Sequence, residues 1–107
     1  MKHLLGVISG CTIGRADLLN DIMNRVAERC EFNVVSRAFH QFDPHGATGV
    51  LVLAESHFSA HTYPEDHRVY VDVFCCSTDF DPKFCARVLE QEFGGELEFS
   101  VVSRGTT

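Results

Sequence analysis

Residues 49–64 read GVLVLAESHFSAHTYP, and this segment decides the fold. The dense run of Val and Leu from Gly49 to Ala54 is typical of a buried central strand. Ser56 lies where that run stops. The chain is predicted to stay extended over 58–63, until Pro64 interrupts the strand pattern. We therefore expect a core strand whose end presents a serine hydroxyl.

The flanking sequence predicts two helices and further strands. Apolar residues recur at helical spacing over 16–30, with polar residues between them. Asp79 or Asp81 can cap a second helix over 82–93. Strands are also expected at 3–9, 32–42, 68–76 and 97–102. Short turns between strands favour an α+β fold, a two-layer sandwich with a mostly antiparallel sheet and two helices on one face.

The composition limits the class of protein and its partners. The 107 residues suit a single domain over 1–107. Because the net charge is −6 and the nine basic residues are scattered, nucleic acid is not an expected partner. No apolar run is long enough to cross a bilayer, so no membrane partner is expected. Both faces of several strands are rather apolar, which indicates a homodimer.

The N-terminus and the cysteines bear on the cellular compartment. Residues 1–11, MKHLLGVISGC, imitate a lipoprotein export signal. We interpret them as the first strand, because the apolar stretch is short and His3 is polar. The five cysteines form an odd set without metal-like spacing. Free thiols of this kind suit a reducing compartment, so a cytoplasmic location is expected.

The residues around Ser56 favour an intramolecular reaction over hydrolysis of another molecule. A serine hydrolase needs an activating base and often a Gly-rich elbow, which Glu55-Ser56-His57 does not provide. Ser56 Oγ can instead reach the carbonyl carbon of Glu55 through a five-membered ring. The resulting ester can eliminate to dehydroalanine, which becomes a pyruvoyl group with loss of ammonia. The alternative is a strand-end serine that bonds its own backbone.

Histidine and cysteine supply candidate proton carriers. His61 and Cys76 follow Ser56 at separations that suggest positions on neighbouring strands. Taken alone, Cys76 is typical of a small buried apolar residue. His57 and His61 share a strand face and His40 could join them around zinc, but no carboxylate or cysteine has a strong ligand spacing. We therefore expect no metal site.

Several motifs closely resemble the bacterial S-adenosylmethionine decarboxylases, which make their own pyruvoyl cofactor. The motifs span roughly residues 2–76 and include Ala54-Glu55-Ser56-His57, His61-Thr62-Tyr63-Pro64-Glu65 and Asp72-Val73-Phe74. The block from Glu55 to Glu65 is highly specific for that family. Beyond residue 76 only the helix–strand layout matches.

The resemblance implies a self-cleaving proenzyme. Cleavage between Glu55 and Ser56 would leave a β chain of 1–55 and an α chain of 56–107, with the pyruvoyl group at residue 56. The substrate amine would form a Schiff base with this group, which draws off electrons as CO2 leaves. The product would be the aminopropyl donor for spermidine synthesis.

The resemblance also implies which residues act in processing and catalysis. His61 matches a processing histidine, and Cys76 matches the cysteine that protonates the decarboxylated carbon. Thr48 stands where a hydroxyl residue assists processing. In the family these sites lie at a dimer interface, which again implies a homodimer.

Substrate contacts are implied at Phe42 and Tyr63 for the adenine ring and at Glu65 near the ribose. Two departures affect this region: Tyr63 stands where the family usually has Trp, and residues 66–70 replace a small, Gly-containing segment. S-adenosylmethionine is the first expectation for the substrate. A pyruvoyl-dependent decarboxylase of arginine or ornithine is one alternative, and a non-catalytic ligand-binding or regulatory relative is another.

Overall fold

The computed structural model describes residues 1–105, so the last two residues of the predicted domain lie outside the described part. Eight regular elements and one short 3₁₀ helix, Pro64–Asp66, follow one another along the chain. In chain order they are β1 (Lys2–Ser9), α1 (Ala16–Arg29), β2 (Val34–Gln41), β3 (Ala47–Leu53), β4 (Ser56–Tyr63), β5 (Arg68–Cys75), α2 (Pro82–Phe93) and β6 (Glu96–Ser103).

The six strands form one antiparallel sheet in the order β2-β3-β4-β5-β1-β6. α1 packs against β2 and β3, and α2 packs against β1 and β6. The strand side chains that face the helices form the core, which includes Leu4, Leu51, Phe58, Val71 and Val73. This arrangement confirms the predicted α+β two-layer sandwich with both helices on one face.

The helix ends follow the local chemistry of the sequence. The carboxylate of Asp81, rather than that of Asp79, caps α2, because it accepts bonds from the backbone N–H groups of Lys83 and Phe84. Gly94 ends α2 in the left-handed conformation, with a φ of 79°. Four of the apolar residues predicted at helical spacing in α1 are buried, namely Leu19, Ile22, Met23 and Val26. Leu18, predicted on the same face, is instead exposed, and Cys30 is half-buried just past the end of the helix.

The second face of the sheet has no helix over it within residues 1–105. Large apolar side chains on this open face are 40–45% exposed, namely Leu5, Val52, Tyr63, Tyr70 and Val102. No helix among the described residues is long and apolar enough to cross a membrane. The open face therefore offers an apolar surface for contact with another protein molecule.

The turn between β3 and β4 was not predicted from the sequence. Leu53 pairs with Ser56, so Ala54 and Glu55 alone connect the strands and Ser56 begins β4. Tight hairpin turns are usually signalled by Asn-Gly or similar pairs, and this turn has none. Hydrogen bonds to Asn33 stabilise it instead, and Asn33 is distant in sequence.

Candidate active site

Ser56 has an unusual backbone conformation. Its φ is 151°, in a region that residues with a side chain rarely adopt. Backbone strain of this kind costs about 1–3 kcal/mol and persists only where the surrounding structure holds it. The strain therefore lies at the peptide bond where the family resemblance predicts cleavage.

The carbonyl group of Glu55 accepts a hydrogen bond from the backbone N–H of Cys76, with an N–O distance of 2.9 Å. This N–H lies just past the end of β5, where Cys75 pairs with Ser56. A fixed donor on a carbonyl oxygen polarises the carbonyl and stabilises the negative charge that develops during nucleophilic attack. The structure thus brings Glu55, Ser56 and Cys76 together.

The two neighbouring cysteines differ in environment. Cys76 is exposed. The interpretation of Cys76 as a small buried apolar residue, which rested on its residue type alone, is therefore wrong. Cys75 is buried on the helix side of the sheet, and burial raises the pKa of its thiol. A protonated, buried thiol is consistent with a packing role for Cys75.

The side chain of Glu55 is bonded to Asn33. Its carboxylate accepts bonds from the backbone N–H of Asn33 at 3.0 Å and from Nδ2 of the same residue at 2.6 Å. Partial burial tends to raise the pKa of Glu55, but these two hydrogen bonds outweigh it and the pKa lies below its ordinary value. Glu55 is therefore ionised at neutral pH.

A second group of candidate residues lies further along β3 and β4. Thr48 and His61 are directly opposite each other, and Oγ1 of Thr48 lies 3.0 Å from Nδ1 of His61. Tyr70 on β5 is the next residue in this row. The hydroxyl of Thr48 orients the imidazole ring of His61 on the open face.

His61 does not reach Ser56 of the same chain. The two residues lie on one strand, β4, five positions apart, which corresponds to about 16 Å. The expectation that Ser56, His61 and Cys76 occupy neighbouring strands is therefore wrong for His61. Sequence separation alone did not reveal this, because the turn at 54–55 was missed and β4 was expected to begin later.

The candidate substrate residues lie at the His61 end of the sheet. Phe42 and Glu65 line a cavity of about 570 Å³, where Glu65 pairs with His45 at 2.9 Å. Tyr63 lines a second cavity of about 410 Å³ together with His61. All the residues predicted to bind substrate are thus far from Ser56 within one chain.

A polar network on the open face was not predicted from the sequence. Oδ2 of Asp72 is bonded to Nε2 of His3 at 2.7 Å and to Nε2 of His57 at 2.9 Å, and the other carboxylate oxygen accepts a bond from Ser59. Burial tends to raise the pKa of Asp72, but its three partners lower it below the ordinary value. Strand alternation places His57, Ser59 and Asp72 on one face, but only the register shows that they meet.

This network has the composition of a metal site, since two imidazoles and a carboxylate place their ligand atoms within 4.8 Å of one another. Arg104, however, lies 3.4 Å from Nδ1 of His3 and stacks over the ring of Phe74. The guanidinium of Arg104 places a positive charge beside the cluster, which opposes the binding of a cation. We therefore interpret the cluster as a hydrogen-bonded network.

The zinc set considered from the sequence does not assemble. His40 and His61 both flank Thr48 but lie two strands apart, while His57 is bonded to Asp72. Adjacent strands are about 4.8 Å apart, so His40 and His61 are separated by about 10 Å at the backbone. Within one described chain, the three histidine side chains therefore do not come close enough together to bind one zinc ion.

Comparisons with known proteins agree on one family. The family model of S-adenosylmethionine decarboxylase matches residues 2–105. The S-adenosylmethionine decarboxylase proenzyme of Clostridium botulinum is 33% identical over 107 residues, which cover 96% of this chain and 92% of the relative. The proenzyme of Acidithiobacillus ferrooxidans is 35% identical over 97 residues, which cover 90% of this chain and 73% of the relative.

A solved structure is similar along almost the whole chain. The adenosylmethionine decarboxylase from Aquifex aeolicus superposes with a TM-score of 0.90 at 28% identity, covering 99% of this chain and 91% of that one. The recognisable motifs end at residue 76. The family match and the structural similarity both continue well past that residue.

Proposed function

The chain belongs to the S-adenosylmethionine decarboxylase family, and from this membership we propose that it is a proenzyme that cleaves itself between Glu55 and Ser56. Its activity is the decarboxylation of S-adenosylmethionine, as the names of its relatives and its structural neighbour indicate. None of these comparisons favours arginine or ornithine as substrate.

Self-cleavage is supported above all by the strained Ser56 next to the polarised carbonyl of Glu55. In the proposed reaction, Ser56 Oγ attacks the carbonyl carbon of Glu55, the peptide C–N bond breaks, and the hydroxyl proton ends on the freed amine. Elimination then releases the carboxylate of Glu55 and leaves dehydroalanine. Its imine form takes up one water and loses ammonia, which gives the pyruvoyl group at the start of residues 56–107.

The division of candidate residues between the two ends of the sheet supports a homodimer. Ser56 and Cys76 lie at one end, whereas Thr48 and His61 lie about 16 Å away at the other. A two-fold axis that packs two open faces together can bring the Ser56 end of each protomer to the His61 end of its partner. The exposed apolar side chains of the open face provide the surface for this contact.

In this dimer we assign the following roles. His61, oriented by Thr48, moves the proton during cleavage. The pyruvoyl group supplies the electron sink for decarboxylation. Cys76 is exposed and beside residue 56, where its thiol can protonate the carbon that has lost CO2.

Substrate binding is assigned to the partner's end of the site. Phe42 and Tyr63 offer aromatic surfaces for adenine, and Glu65 offers a carboxylate for the ribose hydroxyls. We also propose a cytoplasmic location, because all five cysteines have free thiols.

Intact-mass spectrometry of the purified protein tests self-cleavage, and CO2 release tests the substrate. We expect fragments of residues 1–55 and 56–107, the second lighter by one ammonia than a serine-terminated peptide. S-adenosylmethionine should release CO2, while arginine and ornithine should not. A chain that stays at 12.0 kDa after long incubation contradicts the proposal.

A further inference from the structure

We propose that Asn33 is a positioning residue for self-cleavage, which clamps the turn Ala54-Glu55 so that Ser56 stays in its strained conformation. The inference rests on the proposed function and extends it to a residue outside the sequence motifs. Asn33 lies between α1 and β2, far from Ser56 in sequence but beside the turn in the structure.

Three hydrogen bonds join Asn33 to the turn. Its carbonyl oxygen accepts from the backbone N–H of Ala54 at 2.8 Å. Its own backbone N–H and its Nδ2 donate to the two carboxylate oxygens of Glu55, at 3.0 Å and 2.6 Å. One residue therefore binds both positions of a two-residue turn, and the two bonds to the carboxylate are charge-assisted.

Asn33 is itself held in place by its neighbour. The backbone N–H of Phe32 donates to the carbonyl of Ala27 at the end of α1, at 2.8 Å. The ring of Phe32 packs on that of Phe80, with 6.0 Å between the ring centres. Asn33 is thus fixed to the helix layer through Phe32, so its hydrogen bonds restrict the motion of the exposed turn.

The effect on the reaction follows from the position of the strain. Glu55 is fixed through its carboxylate by Asn33 and through its carbonyl by Cys76. If the carboxylate were released, the turn could rotate and Ser56 could relax to an ordinary extended φ. The hydroxyl would then spend less time within reach of the carbonyl carbon, and the effective concentration of the nucleophile would fall.

The experiment measures the rate of self-cleavage by intact mass from freshly folded proenzyme. We expect Asn33→Ala to slow cleavage about tenfold, since it removes one charge-assisted bond. Asn33→Asp should be slower still, because its carboxylate faces that of Glu55. The double variant N33D/E55Q exchanges donor and acceptor between the side chains, so its cleavage should recover to within about threefold of wild type.

Asn24→Ala is the matched control, because Asn24 also bonds through its side chain, to Arg37 and Asn20, but away from the turn. Its cleavage rate should equal that of wild type. Cleavage of Asn33→Ala at the wild-type rate overturns the inference, and so does a double variant as slow as Asn33→Asp. A wild-type chain that never cleaves overturns the proposed function and this inference with it.

Discussion

Mixed dimers of two inactive variants would test whether each active site is built from two chains. Ser56→Ala removes the nucleophile at one end of the sheet, and His61→Ala removes the imidazole at the other. The structure separates these residues by about 16 Å within one chain. If two chains share each site, a mixed dimer contains one complete site, formed by Ser56 of one chain and His61 of the other.

The expected amounts follow from random pairing. With equal expression, about half of the dimers are mixed, and each has one intact site of two. About half of the His61→Ala chains should therefore cleave, and decarboxylation should reach about a quarter of the wild-type value. His61→Ala alone should cleave about 10²–10⁴-fold more slowly than wild type, the usual contribution of a general base.

The assay is co-expression of the two variants with different tags, followed by intact mass of each chain and CO2 release from S-adenosylmethionine. The Ser56→Ala chain should remain whole in every preparation, which provides an internal control. A shared site is refuted if the His61→Ala chain cleaves no faster in the mixture than alone while wild type cleaves fully. In that case His61 acts on its own chain, or not at all.

Single-residue variants test the roles of Cys76, Thr48 and Asp72. Cys76→Ser should still self-cleave, because the backbone N–H that bonds Glu55 remains, but turnover measured by CO2 release should fall about 10²–10⁴-fold. Thr48→Ala should slow cleavage about tenfold by freeing the imidazole opposite it, and Thr48→Ser should retain the rate, both by intact mass. Asp72→Asn should lower the free energy of unfolding at pH 7 by about 1–3 kcal/mol in urea titrations at fixed protein concentration. Because hydrogen bonds from Ser59, His3 and His57 lower the folded-state pKa of Asp72, its contribution is fully present above the ordinary carboxyl value of about 4. It is lost as the pH falls through the lowered folded-state pKa, so the difference from wild type should shrink on acidification below about 4.

Most of the fold could be predicted because its signals are local. The apolar spacing of α1, the Asp81 cap of α2 and the alternation of β5 all lie within single elements, and the structure confirms them. The turn at Ala54-Glu55 could not be predicted, because its stabilising partner, Asn33, is distant in sequence and the turn lacks Gly and Asn. The extended segment was predicted to begin at residue 58, whereas β4 begins at Ser56. This difference of two residues placed the serine outside the strand that contains it.

The site was harder to predict because its parts meet through register. Nothing local indicates that the N–H of Cys76 reaches the carbonyl of Glu55, since this depends on the pairing of β4 with β5. The network around Asp72 likewise requires three strands to be aligned. Motif resemblance proposed the individual residues but could not show that one chain contains them as two separated groups.

The altered segment 66–70 bears on the substrate, and its position favours retention of a purine-containing one. Tyr70 lies edge to face with Tyr63, with ring centres 5.4 Å apart, so the added bulk extends an aromatic surface beside His61. Glu65 borders a separate cavity with Phe42, to which Tyr70 does not contribute. A smaller ring at position 63 therefore has an aromatic neighbour that restores contact area, and a flat purine base can pack on this surface. If Tyr63 contacts the adenine ring as proposed, the departures from the family pattern change how the ring is held and keep an aromatic surface suited to it.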